Sequence, residues 1–169
     1  MIKKVIFTLS FALLTVFALP AQKVASVDIT RILESQSDYV SAQAQLDELA
    51  SKWKREIEVE YDKIKGLYNR YQAEQVLLSD EVSRQREEEI ISKEKQVREM
   101  QKEKFGPEGA LFQRRQQLVQ PIQDRVYSAI ENYANEKGFD FIFDRSSASG
   151  IIFANERYDK TDDIIADLK

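Results

Sequence analysis

Residues 53–71 read WKREIEVEYDKIKGLYNRY, and the apolar members Trp53, Ile57, Tyr61, Ile64, Tyr68 and Tyr71 follow one another at steps of 4, 4, 3, 4 and 3. Such spacing draws one narrow stripe on a helix whose other faces are charged, the pattern of a helix that pairs along a coiled-coil-like seam. The first steps complete an eleven-residue unit and the later ones heptads, so a nearly straight pair is predicted rather than a strongly supercoiled one. The stretch lies within Ser37–Leu78, where Ala, Leu, Glu, Lys and Gln dominate, Pro is absent and Gly66 is the single glycine. One helix of roughly 60 Å is expected.

At Leu78-Ser79-Asp80-Glu81 the pattern resets. Ser79 is a suitable N-cap and the acids after it suit the positive end of a new helix, so the tip of an antiparallel hairpin is placed at 78–81. The second helix carries Val82, Ile90, Val97 and Met100 on a thin apolar face that Lys93 interrupts. Folding back about Ser79 sets Trp53 near Phe105 and Ile57 near Met100 or Gln101, an apolar match. Gly106-Pro107-Glu108-Gly109 should break this helix, because interior Pro and Gly are both poor helix formers. Leu111, Leu118, Ile122, Val126, Ile130 and Tyr133 then restore a fuller apolar face, with a bend expected near Pro121 and a C-cap at Gly138.

The ends differ in character from this charged middle. Lys23–Ile29 reads as a β-strand and Thr30–Glu34 as a helical turn. Phe139–Asp144 and Gly150–Ala154 read as two further strands joined by a loop of small residues, and Asp162–Leu168 as a closing helix. The fold class is therefore α+β, mostly α: a long antiparallel helical hairpin (37–109) and a small β body (22–36 and 110–169), one domain in all. Three short strands enclose little core in one chain, so several chains are expected to complete the body together.

Met1–Lys4 is basic, Val5–Leu19 is mostly apolar, and Leu19-Pro20-Ala21 resembles a cleavage site, so 1–21 reads as an export signal. A membrane anchor is the alternative, but the apolar run is about 15 residues against roughly 20 needed to span a bilayer. In a two-membrane bacterium the exported chain would reside in the periplasm. Without Lys3 and Lys4, 23 basic residues face 29 acidic ones, a net charge near −6 that argues against unassisted nucleic-acid binding.

The chain has no His and no Cys, which removes imidazole and thiol catalysis, thiolate metal sites and disulfides. No phosphate-cradling glycine loop is present, so no nucleotide and no other cofactor is expected. Asp140 and Asp144 are the carboxylates considered for glycosidase or hard-cation chemistry; solvated strand ends are the simpler reading. No catalytic residue and no metal ligand is therefore assigned. Glu87-Glu88-Glu89 reads as the wet face of a helix, and the 13 basic and 13 acidic residues of 51–104 as salt-bridge lacing.

Three local matches stand in order along the chain: Val27-Asp28 leading into Arg31-Ile32-Leu33-Glu34-Ser35, Pro121-Ile122-Gln123-Asp124, and Glu136-Lys137-Gly138-Phe139-Asp140 before an apolar strand. With the export signal, the hairpin and the strand pair, they make the chain resemble the Skp/OmpH family of periplasmic chaperones for outer-membrane proteins, over essentially the whole mature length. The resemblance implies a homotrimer whose strands share a barrel-like body, from which helical hairpins project as tentacles around a cavity. It also implies an ATP-independent, non-enzymatic holdase that keeps unfolded outer-membrane polypeptides from aggregating. Val24, Val27, Phe139, Phe141, Phe143, Ile151 and Phe153 would then belong to the oligomerisation body.

The aromatic stripe can zip the helices or partly face outward to hold apolar polypeptide; zipping is the first reading. Under the second, client contact falls to Trp53, Tyr61, Tyr68, Tyr71, Leu78, Val82 and Ile90. Three departures from the family pattern stand out: an acidic mature chain, the Gly106–Gly109 break, and Thr161-Asp162-Asp163-Ile164 where relatives often have Asp-Ile-Thr. Because the chain is acidic, lipid or lipopolysaccharide binding is not carried over. A structural or adaptor protein of the cell envelope, docking partners with a coiled-coil hairpin, is the alternative.

Overall fold

The computed structural model describes residues 22–147 and 151–169; the expected export signal and the start of the expected strand at Gly150 lie outside them. Along the chain come β1 (Val24–Val27), α1 (Ile29–Glu34), α2 (Ser37–Glu74), a 3-10 turn (Gln75–Leu77), α3 (Asp80–Phe105), α4 (Ala110–Lys137), β2 (Phe141–Asp144), a second 3-10 turn (Glu156–Tyr158) and α5 (Thr161–Asp167). Of the described residues, 33–127 form one compact unit; 22–32 together with 128–147 and 151–169 form the other.

In the first unit, α2 runs unbroken for 38 residues and α3 returns along it. The reversal occupies 75–79, and Ser79 caps α3 as expected, its hydroxyl accepting the Val82 N–H. Trp53 meets Phe105 edge-on with ring centroids 6.1 Å apart, the pairing that folding about Ser79 requires. Lys104 Nζ lies 4.7 Å above the Trp53 ring and 3.4 Å from Glu56, closing the pairing with a cation.

The register of the seam differs from the one read from the apolar residues. The inward positions of α2 are 53, 57, 60, 64, 67, 71 and 74, a regular alternation of 4 and 3 that Leu78 continues beyond the 3-10 turn. Leu67 therefore faces the partner helix in place of Tyr68, and Glu60 in place of Tyr61, which stands half exposed beside the seam. A two-helix interface selects positions by heptad phase, and a tyrosine one position out of phase keeps its ring on the flank whatever its hydrophobicity. The packed cluster is Ile57, Ile64, Tyr71, Ile90 and Val97, with Leu67, Leu78, Met100 and Phe105 against it. Val82, expected on the inner face of α3, is exposed.

The helix break falls where Gly106-Pro107-Glu108-Gly109 placed it. Gly106 ends α3, its N–H bonding Lys102 O, and a Cβ there would lie 2.4 Å from that same carbonyl oxygen. At Gly109 a Cβ would come within 2.9 Å of Glu103 O, so both glycines permit a break too tight for a side chain. α4 then continues through Pro121 without interruption. On it Val119, Ile122 and Val126 are buried, as are Ala42 and Leu46 of α2, and Arg125 bonds Asp38 across the two helices at 2.6 Å.

The second unit is built on a two-stranded parallel sheet, Val24–Val27 against Phe141–Asp144. Lys23 and Asp140 start the ladder reciprocally: the Lys23 N–H donates to the Asp140 carboxylate at 2.7 Å, and the Asp140 N–H to Lys23 O at 2.8 Å. Gly138, at φ 66°, makes the left-handed step that turns the chain out of α4.

The expected strand Gly150–Ala154 does not form over its described residues 151–154. A strand needs a hydrogen-bonding neighbour. Beside β1 that place is taken by a single bridge from Ser26 to Asp159, where the Lys160 N–H donates to Ser26 O. Ile152 and Phe153 are left in solvent, at 100% and 82% exposure.

Candidate functional site

The charged hairpin exposes more apolar surface than its seam needs. Tyr61 and Tyr68, seven residues apart, lie on one face of α2, and Val59 and Ile91 are exposed elsewhere on the pair. At the reversal, Val76 and Leu77 are almost bare, at 90% and 84%. Three consecutive apolar residues, Val76-Leu77-Leu78, cannot all turn toward one partner helix, and only Leu78 packs against the seam. That run was the sequence signal for an apolar tip.

The other candidates for polypeptide contact divide between seam and flank. Tyr71 and Ile90 are buried in the seam, Trp53 is half buried against Phe105, and Val82 is exposed beside the tip. Tyr71 uses both ends: its ring packs against the apolar cluster while its hydroxyl donates to Glu87 Oε1 and meets Ser83 Oγ at 2.8 Å. Glu87, from the acidic run assigned to solvent, thus fixes the distal end of the hairpin. Of the ion pairs within 51–104 among the described residues, Lys63–Glu60, Arg84–Glu81 and Arg98–Glu94 stay on one helix and Lys104–Glu56 crosses. The charges solvate the arms more than they zip them.

The sheet unit presents a second apolar surface. Val24, Phe143, Ile151, Phe153 and Tyr158 line an open groove of about 460 Å³. Phe141 and Phe143 stack with centroids 6.2 Å apart and are each half exposed, whereas Val27 is buried. Phe139 stacks on Tyr133 at 5.9 Å, with Lys23 Nζ 4.4 Å above its ring.

The carboxylates of this unit organise backbone. Asp144 accepts from the Ser146 N–H and hydroxyl and the Ile29 N–H; burial works to raise its pKa, but these bonds outweigh it and hold the group below the ordinary carboxylate range. Burial likewise opposes ionisation of Asp159, and the Thr161 hydroxyl and N–H with the Arg145 guanidinium overcome it. Tyr133 is moved the other way, up to about 12, by burial and by its 2.6 Å bond to Asp163. Asp140 and Asp144 are both engaged at the ends of β2, and among the described residues no cluster of carboxylates is arranged to hold a metal ion. No described helix is long and apolar enough to cross a membrane.

Residues 23–168 match the family model described as outer membrane protein (OmpH-like). The chain belongs to the Skp/OmpH family. A solved structure from Caulobacter crescentus CB15, described as a candidate outer membrane chaperone (OmpH-like), shares the fold at a TM-score of 0.66. The likeness covers 89% of this chain and 86% of that one at 14% sequence identity. No curated protein matches the chain. At such low identity the fold is kept by patterning, and the residues that give this OmpH-like chain its exposed tyrosines, acidic balance and apolar tip have to be read from its own sequence.

Proposed function

We propose that this chain is an ATP-independent periplasmic holdase that binds unfolded outer-membrane polypeptides and prevents their aggregation. The observation that carries the reading is family membership over nearly the whole length. The exposed Tyr61, Tyr68, Val76 and Leu77 on otherwise charged arms support it, because weak apolar contacts spread along a solvated surface can hold an unfolded chain without a deep site. The half-exposed Phe141 and Phe143 and the bare Phe153 fit a homotrimer in which neighbouring chains cover them. Export by residues 1–21 would place the protein where its clients pass.

An unfolded outer-membrane barrel diluted out of denaturant should stay soluble with stoichiometric protein and no nucleotide, as followed by light scattering. Unchanged aggregation at every ratio would sink the holdase reading. Mass in solution should be about three times that of the mature chain. Capture of one folded envelope complex, with no unfolded client, would instead favour a structural or adaptor protein.

A further inference from the structure

On one face of α2, Glu58, Tyr61 and Asp62 lie within a single turn, with Lys54 one turn earlier. With Ile57 and Phe105 they line an open groove of about 330 Å³ whose surface is mainly apolar. That volume is at the lower bound of small-ligand pockets and admits single side chains, not a folded surface. Ile57 is buried and forms the floor, and Tyr61 stands half exposed as a wall.

The charges around the groove are unequal in their engagement. Glu56 and Glu60, the neighbouring carboxylates, pair with Lys104 and Lys63. Glu58 and Asp62 have no ion-pair or hydrogen-bond partner among the described residues. Like charges four positions apart oppose each other on a helix and contribute nothing to the hairpin by themselves. They flank a tyrosine whose ring face also attracts cations. Lys54 confines this preference to the Glu58–Asp62 end.

We propose that the groove binds an extended polypeptide segment in which a large apolar or aromatic side chain is flanked by Arg or Lys. The apolar side chain enters between Tyr61, Ile57 and Phe105, and the cations meet Glu58 and Asp62. This deepens the holdase reading and rests on it for the source of the segment.

The test measures binding of short fluorescent peptides to the purified protein by anisotropy. One peptide carries Phe between two Arg residues in a Gly/Ser background, a second replaces Arg with Glu, and a third replaces Phe with Ala. The Arg–Phe peptide should bind about fivefold tighter than either control. Glu58→Gln with Asp62→Asn should bring the Arg-over-Glu ratio close to one, and Tyr61→Ala should remove the dependence on Phe.

Equal binding of the Arg and Glu peptides, or a preference that survives the double substitution, overturns the proposal. So does absence of peptide binding, whether or not the double variant changes mass in solution; a change would assign the groove to a second copy. Suppression of barrel aggregation without any peptide preference removes this site and leaves the holdase reading. The reverse outcome removes that reading and leaves the site.

Discussion

The distal seam of the hairpin and the sheet unit hold themselves together by different means. In the distal seam of α2 and α3, Ile57, Ile64, Tyr71 and Ile90 each keep 8% of their surface and Val97, at 3%, is the deepest. Around the sheet, Ile32 and Ile164 are fully inside and Val27 and Thr161 nearly so. A two-helix pair has no third layer to close over its seam, whereas a sheet edge with helices packed against it encloses its central side chains. The difference teaches that the distal half of the long hairpin, the most conspicuous pattern in the sequence, is the more weakly enclosed, and that the short elements around the sheet carry a tighter core.

Truncation separates the two most sharply. Ile164→Ala should cost about 3 kcal/mol, because an enclosed site cannot collapse onto the lost methylenes. Ile64→Ala should cost about 2 kcal/mol, since the open seam lets neighbours and water fill the gap. Denaturant unfolding with hydrogen exchange resolved by unit measures both, and equal costs would erase the comparison. Thr161→Val keeps the shape but leaves the Asp28 N–H without its 2.9 Å acceptor and removes the hydroxyl donated to Asp159. A loss of about 1–2 kcal/mol confined to the sheet unit is expected.

Gly66→Ala should act in the opposite direction. Nothing lies within 4 Å of a Cβ at Gly66, and α2 is helical on both sides. Alanine should therefore stabilise the hairpin by about 0.5–1 kcal/mol, seen as slower exchange of its amides.

The smallest contrast is in pH. Asp144 and Asp159 have lowered folded pKa values, so their contribution is present above the unfolded carboxylate range and is lost as pH falls through the folded values. Tyr133 is raised, so the folded state holds its proton longer; its contribution is complete below about 10 and fades as pH climbs to about 12. Unfolding followed against pH should show both limbs in the sheet unit. Asp159→Asn should flatten the acid limb and Tyr133→Phe the alkaline one. In the hairpin, Asp38 is lowered chiefly by its bond from Arg125, but this exposed pair should move stability little.

The caps and breaks of the chain are legible in its sequence, whereas the facing of individual side chains is not, and for one reason. Ser79, Gly106, Gly109 and Gly138 announce their roles because a cap, a steric clash or a left-handed step is decided within a few residues. Hydrophobicity places Tyr61 and Tyr68 on the stripe of α2 and Val82 on the apolar face of α3, but their facing depends on the phase of the other helix. Residues 151–154 have the composition of a strand and no neighbour to pair with. Composition says what a segment prefers, not what lies beside it.

By itself, then, the sequence determined the long helices, their break and reversal, the lack of imidazole and thiol chemistry, and the family pattern. Each follows from local propensity or from residue types being present or absent. Only the tertiary structure decided which tyrosines leave the seam, which carboxylates stay unpaired beside Tyr61, and that β1 pairs in parallel with β2 across more than a hundred residues of intervening chain. Those depend on contacts between distant segments, where a shift of one position in phase exchanges a buried side chain for an exposed one.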